Sequence, residues 1–252
     1  MYENALAISS LSMNYGKKIV LKDINFFASP FTITAVVGKN GCGKSSLVSC
    51  INGERRYFGK ISAFGEDLAY KTCRERAKII SVLPQTLPRP HMKVFELVGF
   101  GRSPYIKLGQ RLSYSDKKII YDSIERIGIS RLADCFVDEI SGGEAQKAYL
   151  AMILCQNTSI LVLDEPTAHM DIAYENEFLE LLQILKTKYK KTIIAVLHDL
   201  NLAVRYADQI AIMDNGKIVI SAPTKDILDA EIIEKTFKIR KYVSEGKVFF
   251  SA

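Results

Sequence analysis

A chain of 252 residues, 48% hydrophobic and 25% charged, has the composition of an ordinary α/β domain and the length to bury a sizeable core. Its net charge of +6 is spread over scattered lysines, and the densest run, Lys186 to Lys191, closes a predicted helix, so the charge marks no nucleic-acid stripe. Five cysteines, an odd number without a C-x-x-C pair, speak against a disulfide framework or zinc site, and no apolar run approaches the roughly 18 residues of a membrane span.

Met1-Tyr2-Glu3-Asn4 lacks the basic stretch that opens a secretory leader, so a reducing, cytosolic setting is expected. Residues 5–37 read as short strands: alternation around Leu6, Ile8 and Leu11, then Ile19-Val20-Leu21, Ile24 to Phe27, and Thr32 to Val37. The last reads as a buried strand feeding a glycine-rich loop, with a helix expected from Ser46 to Ile51. Ile79 to Leu83 is another apolar strand, stopped by Pro84 and the Pro88/Pro90 pair. Helical periodicity follows, first Ile120, Ile124 and Ile127 after a start at Ser115-Asp116, then Ala148, Ala151, Met152 and Cys155.

These stripes place a helical insertion at about residues 86–157. Strand–helix alternation resumes with Ile160 to Leu163, a helix carrying Phe178, Leu181, Leu182 and Leu185, and a strand at Ile193 to Leu197. Such alternation predicts an α/β fold, a mostly parallel sheet covered on both faces. Asn215-Gly216 signals a hairpin, and a helix from Glu231 to Phe237 with strands around Glu245-Gly246 ends the chain.

Three motifs carry chemistry. Gly38-Lys39-Asn40-Gly41-Cys42-Gly43-Lys44-Ser45 fits G-x-x-x-x-G-K-S, a match that arises by chance on the order of one time in a hundred in a chain this long. Its glycines let backbone N–H groups surround phosphate oxygens, Lys44 reaches the outer phosphates, and Ser45 reaches magnesium. Asp164 ends an apolar strand, which sets its carboxylate beside that loop; it suits magnesium, while Glu165 suits polarisation of an attacking water. Ser141-Gly142-Gly143-Glu144, followed by Gln146, has no role within one site and needs a second molecule.

The third motif closely resembles the signature of ABC transporter ATPases, and the resemblance extends over nearly the whole chain. It implies one domain over residues 1–252: a P-loop NTPase core with the helical insertion, and an antiparallel β subdomain drawn from about residues 1–30 and 57–70. Tyr15 resembles the aromatic residue that stacks on adenine. Residues Gly38 to Ser45 and Ser46 would hold ATP, with Gln85 resembling the glutamine that senses magnesium and the membrane partner. Magnesium would meet Ser45, Gln85 and Asp164. His198 resembles the switch histidine at the γ-phosphate, joining Glu165 in catalysis. Ala168-His169-Met170-Asp171 lies where the D-loop belongs. In this family Ser141 to Glu144 of one subunit cap the ATP of the other.

Departures from the family pattern are Glu144 for glutamine, Lys147 for arginine, His169 in the D-loop, and Pro30-Phe31-Thr32 without a glycine. None removes a catalytic group, so an active ATPase is expected. Val98-Gly99-Phe100-Gly101-Arg102-Ser103-Pro104-Tyr105 and Leu197-His198-Asp199-Leu200-Asn201 resemble the branch serving iron-siderophore, haem and vitamin B12 importers. The resemblance implies a homodimer working with two permease subunits and, indirectly, a substrate-binding protein, at the cytoplasmic face of the membrane and without nucleic acid. An ABC importer of other cargo, or a soluble ABC protein using ATP as a clamp, stays open. Two further expectations concern single residues: Arg102 faces the permease, and Cys42 is an accessible thiol whose thiolate is favoured by Lys44 and the helix N-terminus.

Overall fold

The computed structural model describes residues 3–107, 109–168, 170–229, 232–244 and 247–251. Alternating side chains make β1 (Leu6–Tyr15) and β2 (Lys18–Ala28) an antiparallel pair with one buried face, built from Leu6, Ile8, Leu11 and Met13 against Leu21, Ile24, Phe26 and Ala28. The two strands expected between residues 19 and 27 are thus one. Asp23 interrupts it in the left-handed region, φ 52, with its N–H donated to Ser12 Oγ at 3.0 Å. A polar Lys22-Asp23 step reads as a break in the sequence and folds as a kink.

β3 (Ile33–Gly38) runs into α1 (Lys44–Asn52), which begins two residues before the expected start. β4 (Phe58–Ala63) and β5 (Glu66–Asp67) complete an antiparallel sheet in the order β2-β1-β4-β5. After α2 (Cys73–Arg76) and β6 (Ile80–Leu83) the chain forms α3 (Val94–Gly99), a short 3₁₀ segment Phe100–Tyr105, α4 (Tyr114–Arg126) and α5 (Gly142–Cys155). α4 starts one residue before the expected Ser115. Ser113 caps it reciprocally with Asp116, and this capping box is the true start signal.

β7 (Ile160–Asp164), α6 (Ile172–Thr187), β8 (Thr192–Val196), α7 (Leu200–Tyr206), β9 (Gln209–Asp214) and β10 (Lys217–Pro223) follow. α8 (Thr224–Asp229), α9 (Ile232–Phe237) and the hairpin β11 (Arg240–Ser244) with β12 (Lys247–Ser251) end the chain. Glu231 and the turn Glu245-Gly246, named from sequence, lie outside the described residues. Asn215 and Gly216 take φ 45 and 79, as a two-residue hairpin between β9 and β10 requires.

The main sheet has the order β10-β9-β3-β8-β7-β6, parallel except for β10. Period two divides its strands between two apolar cores. Ala35, Leu161, Leu163, Ile193 and Ala195 face the core shared with α3 to α7. Val36, Val162, Ile194 and Val196 face the one shared with α1 and the antiparallel sheet. With both faces covered, the open edge is the row of strand C-termini, where β3, β6, β7 and β8 release the segments carrying Lys44, Gln85, Asp164 and His198.

One expectation is corrected here. Arg102 is 6% exposed: its Nε donates to Asp116 Oδ1 at 3.0 Å, its Nη1 to Cys155 O at 3.0 Å, and its guanidinium lies 4.1 Å from the Tyr105 ring centroid. Spacing cannot show that the 3₁₀ segment folds back onto α5 and turns this arginine inward. The Ser113 hydroxyl, and after it Arg102, hold the Asp116 carboxyl below its usual range against the opposing effect of burial. Arg102→Ala removes the cation beside that carboxylate, which keeps its Ser113 bonds, and the donor to Cys155 O, and should cost about 2 kcal/mol, a fall of roughly 4–8 °C in Tm that thermal denaturation would register. The Asp116 contribution is complete at neutral pH, above the unfolded value, and is lost as acid carries the pH down through the lowered folded value. An unchanged Tm would return Arg102 to the surface.

Candidate active site

Every turn of the glycine-rich loop follows from local chemistry. β3 ends at Gly38 and α1 begins at Lys44, so the intervening residues reverse the chain within one short loop. Gly43 caps α1 at φ 112, a conformation side chains rarely adopt, and a Cβ there would stand 2.9 Å from both Leu21 and Met213. No side chain caps α1, so its first N–H groups stay available for an anion. Lys44 is 4% exposed, and its ammonium donates to Gly38 O at 2.8 Å and Lys39 O at 3.2 Å. The charge is thereby held under the loop it serves.

Ser45 Oγ donates to Asp164 Oδ1 at 3.3 Å. Asp164 is buried at the end of β7, and burial pushes its carboxyl above the usual carboxylate value; the Glu165 charge acts in the same direction, while the Ser45 bond, Lys44 and His198 oppose it. A bound cation would relieve that cost, so these hard oxygen donors fit magnesium.

Glu165 takes φ 51, a strained conformation for a residue with a side chain. Its carboxylate is held from two sides. Gln85 Nε2 donates to Oε2, and His198 Nε2 lies 2.5 Å from Oε1. Gln85 arrives from beyond β6, Glu165 from β7 and His198 from beyond β8, so three strands of one sheet aim at one point. A cavity of about 340 Å³ opens there, with Asn40, Gly41, Lys44, Ser46, Glu165 and His198 among its walls.

The remaining expected residues lie elsewhere. Tyr15, at the end of β1, is 44% exposed and outside that cavity, with the Arg55 guanidinium 5.0 Å from its ring centroid. Ser141 caps α5 and pairs reciprocally with Glu144: Ser141 N donates to Glu144 Oε2 at 3.0 Å, and Glu144 N to Ser141 Oγ at 3.3 Å. The Ser141 N–H and the Ser141 hydroxyl, which donates to the same Oε2 at 2.9 Å, hold the Glu144 carboxyl below its usual range, and Arg131 Nη2 donates to its other oxygen at 2.8 Å. None of residues 141–144 lines the phosphate cavity; Gly142 and Gly143 line a second one, about 450 Å³, with Gln85, Arg89 and Ala168. Asp171 caps α6, accepting from Tyr174 N at 2.9 Å, while His169 lies outside the described residues.

Cys42 requires a second correction. It is 7% exposed, and burial pushes its thiol up, outweighing the Lys44 charge and the Lys44 backbone N–H that favour the thiolate. The loop turns this side chain inward against the main sheet, which a linear motif does not reveal. A maleimide should therefore label the exposed Cys73 first and leave ATP hydrolysis intact. Rapid inactivation that Mg-ATP prevents and Cys42→Ala abolishes would restore the accessible thiol.

Sequence reasoning also missed Val20, which lines the cavity, and Arg55, which covers part of Tyr15. Neither stands in a motif: Val20 arrives from β2 of the antiparallel sheet, and Arg55 from the segment between α1 and β4.

Known proteins resemble this chain in sequence and in fold. The family profile described as ABC transporter matches residues 21–168. The ferric enterobactin transport ATP-binding protein FepC of Escherichia coli (strain K12) is 37% identical over 240 residues, covering 94% of this chain and 89% of that one. The hemin import ATP-binding protein HmuV of Vibrio anguillarum is 34% identical over 240 residues, covering 92% and 90%. Among solved structures, a chain described as a metal-chelate type ABC transporter, in an inward-facing conformation, superposes with a TM-score of 0.84 at 25% identity, covering 98% and 96%.

Proposed function

The chain belongs to the ABC transporter family, and from that premise we propose that it is the ATP-hydrolysing subunit of an importer for an iron chelate, a ferric siderophore or haem. The observation that carries the chemical part is the Glu165 carboxylate gripped between Gln85 and His198 at the mouth of the phosphate cavity. Similarity to ferric enterobactin and hemin transport proteins supports the cargo.

In this reading the phosphates of ATP lie along residues 38–46, against the free N–H groups of α1. Lys44 turns from the Gly38 and Lys39 carbonyls to the β- and γ-phosphates, and Tyr15 stacks on adenine. Ser45, Asp164 and Gln85 would hold magnesium, which supplies neutralisation of phosphate charge. Water adds to the γ-phosphorus, the bond to the ADP oxygen breaks, and the water proton passes to the Glu165 carboxylate. His198 orients Glu165 in the ground state and meets the γ-phosphate when the site closes.

Closure takes two copies. Gly142 and Gly143, at the N-terminus of α5, fit the γ-phosphate of a nucleotide held by a second subunit, because free N–H groups and the helix dipole favour an anion there. Gln85 and the helices between β6 and β7 would pass the motion to two permease subunits, fed by a substrate-binding protein. With Arg102 buried, the exposed Phe100 of the same segment offers the contact. Among the described residues no helix is long and apolar enough to cross a membrane, and attachment through the permease at the cytoplasmic face accords with that.

Deleting this chain from its host tests the proposal. Accumulation of radioiron supplied as ferric siderophore or as haem should stop, with cobalamin uptake measured alongside, and return with the parent chain but not with Glu165→Gln. Uptake unchanged for all three compounds would overturn it.

A further inference from the structure

The two glycines at the start of α5 differ in their surroundings. A Cβ on Gly142 would meet nothing within 4 Å, whereas one on Gly143 would stand 2.8 Å from Tyr174 Cδ1 and 3.0 Å from its Cε1. The Tyr174 ring therefore lies directly on the backbone of the first turn of α5. Tyr174 belongs to the first turn of α6, and its N–H is the one that Asp171 accepts at 2.9 Å. Lys147, one turn along α5, sets its ammonium 5.4 Å from the Tyr174 centroid and 2.6 Å from Glu177 Oε1, with its side chain only 12% exposed. Gln146 Nε2 donates to Pro166 O, in the turn that leads from β7 towards α6. Four contacts thus join the beginning of α5 to α6 and the turn before it, and the ring of Tyr174 makes two of them, to Gly143 and to Lys147.

We propose that Tyr174 is a positioning residue that locks the Ser141–Gly143 turn to the Asp171 turn, so that both elements one copy offers to its partner's nucleotide site move as a single body. The inference rests on the paired-subunit reading above. It gives Lys147 a role where arginine is usual: a compact ammonium fits between the aromatic face and Glu177. It also gives the two glycines separate reasons, Gly142 leaving space for a phosphate and Gly143 admitting the ring. Without the ring, the first turn of α5 loses its lateral support and Lys147 its aromatic face. A helix N-terminus that shifts by about 1 Å no longer meets an anion fixed in another subunit.

The test uses the full chain carrying Glu165→Gln, which holds ATP without turnover. Nucleotide affinity is measured by calorimetry on dilute monomer, and ATP-dependent pairing by light scattering across subunit concentrations. Adding Tyr174→Ala should leave monomer affinity unchanged and weaken pairing about tenfold, as when a modest packing contact is lost in each half of a symmetric pair. Tyr174→Phe keeps the ring and should pair like its parent. Should the alanine variant fail to fold by circular dichroism, Tyr174→Leu, which also removes the aromatic ring, carries the same comparison, with the same weakening expected. Equal pairing with and without the ring would overturn the inference, and so would a parallel loss of monomer affinity, which marks a general structural role. A Glu165→Gln parent that never pairs would overturn the paired-subunit reading, and this inference with it.

Discussion

Glu165→Gln should reduce steady-state ATP hydrolysis by about 10²–10⁴-fold, the usual contribution of a positioned general base, while ATP still binds with nearly its original affinity. The amide has the shape of the carboxylate, keeps an oxygen to accept from Gln85 Nε2, and leaves the Gly38–Ser45 loop and Lys44 untouched. It lacks the basicity to take the proton of the attacking water. Parallel measurement of turnover and of equilibrium nucleotide binding separates the two effects. Full activity in the variant would remove Glu165 from its role and leave its grip by Gln85 and His198 a matter of packing.

Lys44→Ala should act on the other term. Its ammonium is buried beneath the loop, bonded to the Gly38 and Lys39 carbonyls, and Lys44 lines the cavity proposed to take the phosphates. Losing a charge-assisted hydrogen bond of this kind costs about 1.5–3 kcal/mol, which is roughly 10–100-fold in affinity. Calorimetric titration with Mg-ATP should show that loss, and hydrolysis should fall with it at any fixed nucleotide concentration. An unchanged affinity accompanied by reduced turnover would transfer Lys44 from binding to chemistry.

The contrast between what the residues announce and what only folding reveals has a physical basis. Where function depends on backbone shape, the sequence is explicit. Gly43 occupies a conformation that side chains resist, Asn215-Gly216 turns at positive φ, and the short apolar run ending at Asp164, read as a buried strand from its length and its place in the alternation, is one. The parallel sheet was legible from alternation because its strands divide cleanly between two cores. Direction of side chains in irregular segments was not legible. Cys42 and Arg102 both sit in motifs, yet one turns beneath its own loop and the other into an ion pair with Asp116, a partner from a different element. Asp23 looked like the end of a strand because composition does not separate a kink from a break. The contact between Tyr174 and Gly143 joins residues far apart in the chain, and no local pattern marks it.

The central claim is that the cluster of Lys44, Asp164, Glu165 and His198 works only when a second copy supplies Ser141 to Gly143. Mg-ATP hydrolysis by the purified chain, measured over a wide range of subunit concentration at saturating nucleotide, tests it most directly. The account predicts a rate per subunit that rises in proportion to subunit concentration and then levels off as pairing saturates. A rate per subunit that stays constant down to concentrations where light scattering shows only monomer would contradict it.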